Sequence, residues 1–183
     1  FYDEAGAIRD MIQSHLLQVL ALVAMEPPTT FSAHDIRNEK IKIPDAIKVT
    51  PIDQLAQFAA LGQYDGDAKE PAYHLNPKVK KGTTTETFAA IQFHFDNWRW
   101  AGTPFYLRTG KRMAAKRTEV VIQYKQPPAN LFRNLEPFVS GGTRPANQIV
   151  MQIAPGETVS LRFEGKVPGQ GVNLDSVTMD FDY

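Results

Sequence analysis

At 183 residues, with 43% hydrophobic and 22% charged side chains, the chain is long enough to bury a substantial core and too apolar to be disordered. Twenty basic side chains balance twenty acidic ones, which removes the basic excess expected of a nucleic-acid binder. Cysteine is absent, which excludes disulfides and thiolate chemistry, and the longest apolar stretch, 19–25, is far too short to span a bilayer. No secretory signal is recognisable in the sequence. Neither nucleic acid nor a membrane is expected as a partner.

Apolar residues Ile8, Met11, Ile12, Leu16, Val19, Leu20, Leu22 and Val23 recur at three- and four-residue steps. This is the period of a helix with one buried stripe, and it predicts a helix over 7–25, stopped by Pro27 and Pro28. Ser32 is the expected N-cap of a second helix that Pro44 should end or kink near Ile43. A short helical turn over 52–57 is weakly signalled. The period then changes, and strands are expected at 58–64, 89–96, 105–108, 119–124, 148–153, 158–164 and 177–183. Alternation is clearest in Ile91-Gln92-Phe93-His94-Phe95 and from Val177 to the end. Ala154-Pro155-Gly156-Glu157 reads as a hairpin turn, and Ser140-Gly141-Gly142 and 165–171 as loops. Helices first and strands afterwards predict an α+β fold, with N-terminal helices packed on a large, mainly antiparallel sheet in one domain over 1–183.

His15 falls in the apolar stripe of the first helix, where a leucine would ordinarily stand. It has two readings. One is a core imidazole bonded to a backbone carbonyl. The other is a general base, since the ring exchanges a proton near neutral pH and is usually oriented by a carboxylate. Asp10 is the nearest carboxylate, but α-helical spacing sets the two side chains about 140° apart around the axis and about 7.5 Å along it. A direct bond is not expected, although both reach a ligand lying against the first turns.

The segment Arg108-Thr109-Gly110-Lys111-Arg112-Met113-Ala114-Ala115-Lys116-Arg117 packs five cations into ten residues between two expected strands. It reads either as a solvated loop or as a contact for a sugar phosphate, whose charge and hydroxyls suit ammonium and guanidinium groups. Lys78-Val79-Lys80-Lys81 reads as surface. His34, His74 and His94 have no partners at metal-ligand spacing, so no metal site is expected. Trp98 and Trp100 read as anchors of the sheet. Gly169-Gln170-Gly171 lacks the third glycine and following helix of a dinucleotide cradle and reads as a turn.

The run Phe1-Tyr2-Asp3-Glu4-Ala5-Gly6-Ala7-Ile8-Arg9-Asp10-Met11-Ile12-Gln13-Ser14-His15-Leu16-Leu17-Gln18 closely resembles the catalytic-histidine segment of glucose-6-phosphate dehydrogenases. The similarity continues, in the family's order, through Ser32-Ala33-His34-Asp35-Ile36-Arg37-Asn38-Glu39-Lys40, Gly62-Gln63-Tyr64, Thr83-Thr84-Thr85-Glu86-Thr87-Phe88-Ala89-Ala90, Pro104-Phe105-Tyr106-Leu107-Arg108-Thr109-Gly110-Lys111 and Lys116-Arg117-Thr118-Glu119-Val120. The resemblance implies oxidation of glucose 6-phosphate at C1 to 6-phosphogluconolactone with NADP, the first step of the oxidative pentose phosphate pathway. On the same basis His15 is the base, and Asp10, Lys111 and Lys116 contact substrate. The family's NADP-binding Rossmann domain and its substrate-phosphate motif do not occur among these residues. The resemblance therefore implies an internal portion of a longer cytoplasmic enzyme, incomplete at both ends and inactive alone, that forms a homodimer or homotetramer through the sheet.

Two positions depart from relatives. Ala154 stands where many members carry a substrate-contacting glutamine, and Gln152 where animal members carry an arginine of a second NADP site. The second departure favours a bacterial-type enzyme. Ser14 replaces a common asparagine, a mild change. The alternative reading is an isolated, non-catalytic sugar-phosphate-binding or dimerisation module.

Overall fold

The computed structural model describes residues 2–67, 69–127, 134, 145–169 and 171–182. It divides into two compact units, Phe1–Met113 and Ala114–Tyr183.

The first unit opens with a helical run in three parts: α1 (Tyr2–Ala7), a π-helical segment (Ile8–Leu16) and α2 (Leu17–Ala24). Gly6, at φ +67°, breaks the run, and a new helix in effect begins after it. That helix has no local cap. Instead Glu86, almost eighty residues on, supplies both acceptors: its carbonyl takes the Ala7 N–H at 3.0 Å and its carboxylate takes the Ile8 N–H at 3.0 Å. The acceptors satisfy amides that have no intrahelical partner, and the negative charge suits a helix N-terminus. Gly6 is required both for its backbone angle and because a methyl there would collide with the Glu86 carboxylate.

The expected stripe is corrected in its details. Leu22 and His15 are exposed. The buried positions are Ala7, Ile12, Leu20, Ala21 and Ala24, with Leu17 packed against them. Ala7, Ile12 and Leu17 lie five apart, the repeat of i→i+5 hydrogen bonding, and the Leu17 N–H bonds the Ile12 carbonyl accordingly. Three- and four-residue spacing returns only in α2. A 3.6-residue period therefore places His15 on the wrong face.

Ser32 caps α3 (Ala33–Asp45) by accepting from the Asp35 N–H at 3.1 Å, and Pro44 sits in its last turn. A 3₁₀ turn (Ile52–Gln54) and α4 (Leu55–Phe58) lead into the sheet β1 (Ala59–Gly62), β2 (Phe88–Phe93) and β3 (Phe105–Gly110), antiparallel in that order. Ala89 and Leu107 of the sheet close over Ile12, Leu20, Ala21 and Ala24 of the helix, with Ile43 and Phe95 completing the core. Phe105 stacks edge-on against Phe95 at 4.8 Å and Trp100 at 5.1 Å, and the Trp100 indole donates to the Ala24 carbonyl at 2.8 Å. Trp100 thus anchors the sheet as expected, but Trp98 is fully exposed and anchors nothing, because its side chain has no core to enter.

The second unit is a four-stranded antiparallel sheet in sequence order, β4 (Thr118–Gln123), β5 (Gln148–Ala154), β6 (Thr158–Lys166) and β7 (Leu174–Asp182). The strands thus form two sheets. Residues 154–157 join β5 to β6 as the turn expected there, whereas Gly165 lies within β6 and not in a loop. Ser140-Gly141-Gly142 lies outside the described residues. Cross-strand register aligns Ile122, Ile149, Leu161 and Met179 in one row and Val120, Met151, Val159 and Phe181 in the next. One face is therefore apolar. On the other, Ser160 donates to Asp180 at 2.6 Å and Ser176 to Glu164 at 2.5 Å.

Candidate active site

The π segment decides how Asp10 and His15 stand. Residues five apart, nearly opposed on an α-helix, return to neighbouring faces under i→i+5 bonding, as Ala7 and Ile12 do on the buried side. The expected 140° separation is thereby overturned. Asp10 is half-buried and His15 exposed, so the imidazole is open to a ligand and is not a core group. The Ser14 hydroxyl donates to the Arg9 carbonyl at 2.8 Å, the same five-residue step. Insertions of π-helix are frequent at functional sites.

Lys111 follows β3 directly. Its backbone N–H bonds the Thr87 carbonyl at 2.8 Å, and its ammonium lies 4.2 Å from the centre of the Tyr2 ring. Burial, and the nearby charges of Glu86 and Asp10, push the Tyr2 hydroxyl up to about 12. Tyr2 is therefore neutral, and its ring faces the Lys111 ammonium. The structure brings Lys111 onto the Tyr2 ring, with the Asp10 charge near enough to act on the Tyr2 hydroxyl.

The cations of the basic stretch have separate fates. Arg112, at φ +57°, ion-pairs with Glu70 at 2.5 Å and lies 5.1 Å from the centre of the Tyr64 ring. Glu70 holds its guanidinium above the ordinary value. Arg117 pairs with Glu119 at 3.5 Å. Arg108, on β3, is exposed. Lys116 is exposed too and belongs to the second unit. Among the described residues neither Lys111 nor Lys116 has a carboxylate within ion-pair distance.

Sequence reasoning assigned no role to the network beneath this site. Asp3 accepts from the Thr83 hydroxyl at 2.7 Å, the Lys80 N–H at 3.0 Å and the Tyr73 hydroxyl at 3.1 Å, and its carbonyl accepts from Thr85 at 2.6 Å. The bond from Thr83, then that from Lys80, holds the Asp3 carboxyl below its usual range. Thr87, fully buried, accepts from the Tyr64 N–H at 2.8 Å. The alternation of Thr83, Thr85 and Thr87 around Glu86 was the available signal. Its partners lie some eighty residues away, and no local pattern names them.

Lys78, Lys80 and Lys81 are exposed. His34 contacts the Asn38 amide and His94 the Gln92 amide, at 3.0 and 2.7 Å. Among the described residues no three metal-ligating side chains converge, and no helix is long and apolar enough to cross a membrane. Gly169 and Gly171 lie between antiparallel strands β6 and β7, where no helix N-terminus is available to a pyrophosphate. Gly169 and Gly171 therefore do not form a dinucleotide cradle.

Residues 1–183 match the family model described as "Glucose-6-phosphate dehydrogenase, C-terminal domain". The chain is 41% identical over 187 residues to the glucose-6-phosphate 1-dehydrogenase of Mycolicibacterium smegmatis, covering 100% of itself and 37% of that relative. It is 42% identical to the Dictyostelium discoideum enzyme, covering 100% of itself and 35% of that relative. A solved glucose-6-phosphate dehydrogenase in complex with its substrate glucose-6-phosphate superposes with a TM-score of 0.85 at 33% identity, over 100% of this chain and 35% of that one. The glucose-6-phosphate 1-dehydrogenase of Mycobacterium avium gives 0.81 at 38% identity, over 100% and 36%. The chain spans a little over a third of the length of these relatives.

Proposed function

The chain belongs to the glucose-6-phosphate dehydrogenase family, as its C-terminal domain, and from that premise we propose that it is the substrate side of an enzyme oxidising glucose 6-phosphate at C1 to 6-phosphogluconolactone. The observation that carries the reading is His15, exposed on the π-helical segment that also carries Asp10. The reaction removes a proton and a hydride from the C1 centre, and these residues handle the proton. His15 takes it from the C1 hydroxyl, a role that contributes about 10²–10⁴ in rate. Asp10 accepts from a sugar hydroxyl. Lys111 and Lys116 approach the substrate, their ammonium groups free of carboxylate partners among the described residues.

NADP, bound by a nucleotide-binding domain outside these residues, supplies the hydride acceptor. The enzyme so read catalyses the first step of the oxidative pentose phosphate pathway. A cytoplasmic setting agrees with the cysteine-free composition. The functional test is a kinetic one: Lys116→Ala in the intact enzyme raises KM for glucose 6-phosphate, and an unchanged KM returns that lysine to the solvated loop.

A specific feature also favours self-association, as a homodimer or homotetramer through the sheet. Val177, Met179 and Phe181 lie on the apolar face of the second unit and are 39%, 46% and 51% exposed. Met179→Lys is expected to shift the assembly toward monomer in sedimentation; an undisturbed oligomer would rule out this face. By itself that face would also serve a non-catalytic dimerisation module, which the turnover of the intact enzyme separates from the first reading.

A further inference from the structure

Lys111 and Arg112 are adjacent in sequence, yet they stand at opposite ends of a row of three tyrosines. Tyr2 meets Tyr73 edge-on at 6.4 Å, and Tyr73 meets Tyr64 edge-on at 5.5 Å. The Lys111 ammonium lies over Tyr2 at 4.2 Å, and the Arg112 guanidinium over Tyr64 at 5.1 Å. The two cations differ in what else they touch. Arg112 is neutralised by Glu70, whereas Lys111 has no carboxylate partner among the described residues. An aromatic face attracts an ammonium through its quadrupole without cancelling its charge, which a carboxylate would do. The ring seat therefore restrains a long, flexible side chain and leaves its full charge for an anion.

Tyr2 is itself fixed. Its hydroxyl donates to the Glu86 carbonyl at 3.4 Å, and Glu86 caps the helix that carries Asp10 and His15. Tyr73, at the centre of the row, is buried and bonded to Asp3, so the row has a rigid middle. Glu86 thus sets the start of the π segment, and the Tyr2 ring beside it marks the place of the ammonium.

We propose that Tyr2 is a positioning residue for substrate, its ring holding the Lys111 ammonium, unneutralised, where it meets the anionic sugar phosphate. The assignment rests on the reading of Lys111 as a substrate contact. It adds that the ring, and not an acidic partner, holds the lysine in place.

The test uses the intact enzyme. Tyr2→Leu is expected to raise KM for glucose 6-phosphate about two- to fivefold, the range of an exposed cation–π contact, with kcat and the KM for NADP within about twofold of wild type. Tyr2→Phe keeps the ring and is expected to restore KM. In the Lys111→Ala background, Tyr2→Leu adds nothing, because the two residues act through one contact. A phenylalanine series at position 2 with successive ring fluorines reads the quadrupole at nearly constant size, whether or not the leucine variant folds. KM should climb steadily along it. A flat fluorine series, or an equal KM increase from Tyr2→Leu with and without Lys111, overturns the positioning role. A wild-type enzyme that does not turn over glucose 6-phosphate fails the underlying reading instead, and the positioning role falls with it.

Discussion

The two units solve the problem of covering a sheet differently. In the first, the sheet β1–β3 has its apolar side closed by the helical run and α3, and Ala7 and Ala89 are completely buried where helix and sheet meet. In the second, strands β4–β7 align their apolar residues on one face, and Phe181 at its edge remains half exposed. The lesson is one of division of labour. A unit with a closed core can hold a helix in an unusual π conformation and keep polar groups at a fixed geometry. A sheet with an apolar face open is suited to meet another surface.

That contrast can be broken most forcibly at the core. Ile12→Ala empties the position where helix and sheet meet and should destabilise the first unit by about 2–5 kcal/mol. Hydrogen exchange would follow it residue by residue. Faster exchange confined to residues of the first unit agrees with two units that unfold separately; equal losses in β4–β7 would make them one cooperative body.

Gly6→Ala sharpens the account of the π segment. The positive-φ, extended backbone at this position, open essentially to glycine alone, costs an alanine about 1–3 kcal/mol, and the collision with Glu86 adds to it. Glu86→Ala removes the carboxylate half of the cap and leaves the carbonyl, for about 0.5–2 kcal/mol. The double variant should be less destabilised than the sum of the two, since the alanine methyl no longer meets a carboxylate. Thermal unfolding of the four proteins checks this; simple additivity would separate Gly6 from Glu86.

A smaller effect distinguishes the units by pH. Burial, followed by the bond to Asp3, pushes the Tyr73 hydroxyl up to about 12, and burial does the same for Tyr2. A raised folded value means that this stability is fully present below the unfolded value of about 10 and is lost as pH rises from there toward about 12. Asp3 carries the opposite sign: its depressed carboxyl contributes stability that is present above about 3.9 and lost as pH falls further. Near-ultraviolet circular dichroism should show Tyr73→Phe flattening the alkaline limb and Asp3→Asn the acidic one. Unchanged limbs would remove the network from the balance.

Much of this was legible in the sequence, for reasons that differ by element. The strands follow from alternation, and the Ser32 cap and the proline stops from local chemistry. The family blocks pointed to His15, Asp10, Lys111 and Lys116. The periodicity failed at His15 itself, because a 3.6-residue template cannot register a segment bonded at i→i+5. It buried an exposed imidazole and set Asp10 apart from it. The tie between Asp3, Glu86 and the threonines was illegible for another reason: its two halves are about eighty residues apart, and nothing local to either names the other.

In the proposed mechanism the exposed imidazole of the π segment performs the proton transfer. The most direct measurement is His15→Asn in the intact enzyme, with turnover and glucose 6-phosphate binding followed on the same preparation. Turnover should fall by about 10²–10⁴ while the dissociation constant for glucose 6-phosphate stays within about twofold. Substantial retained turnover would contradict the assignment of His15 as the base.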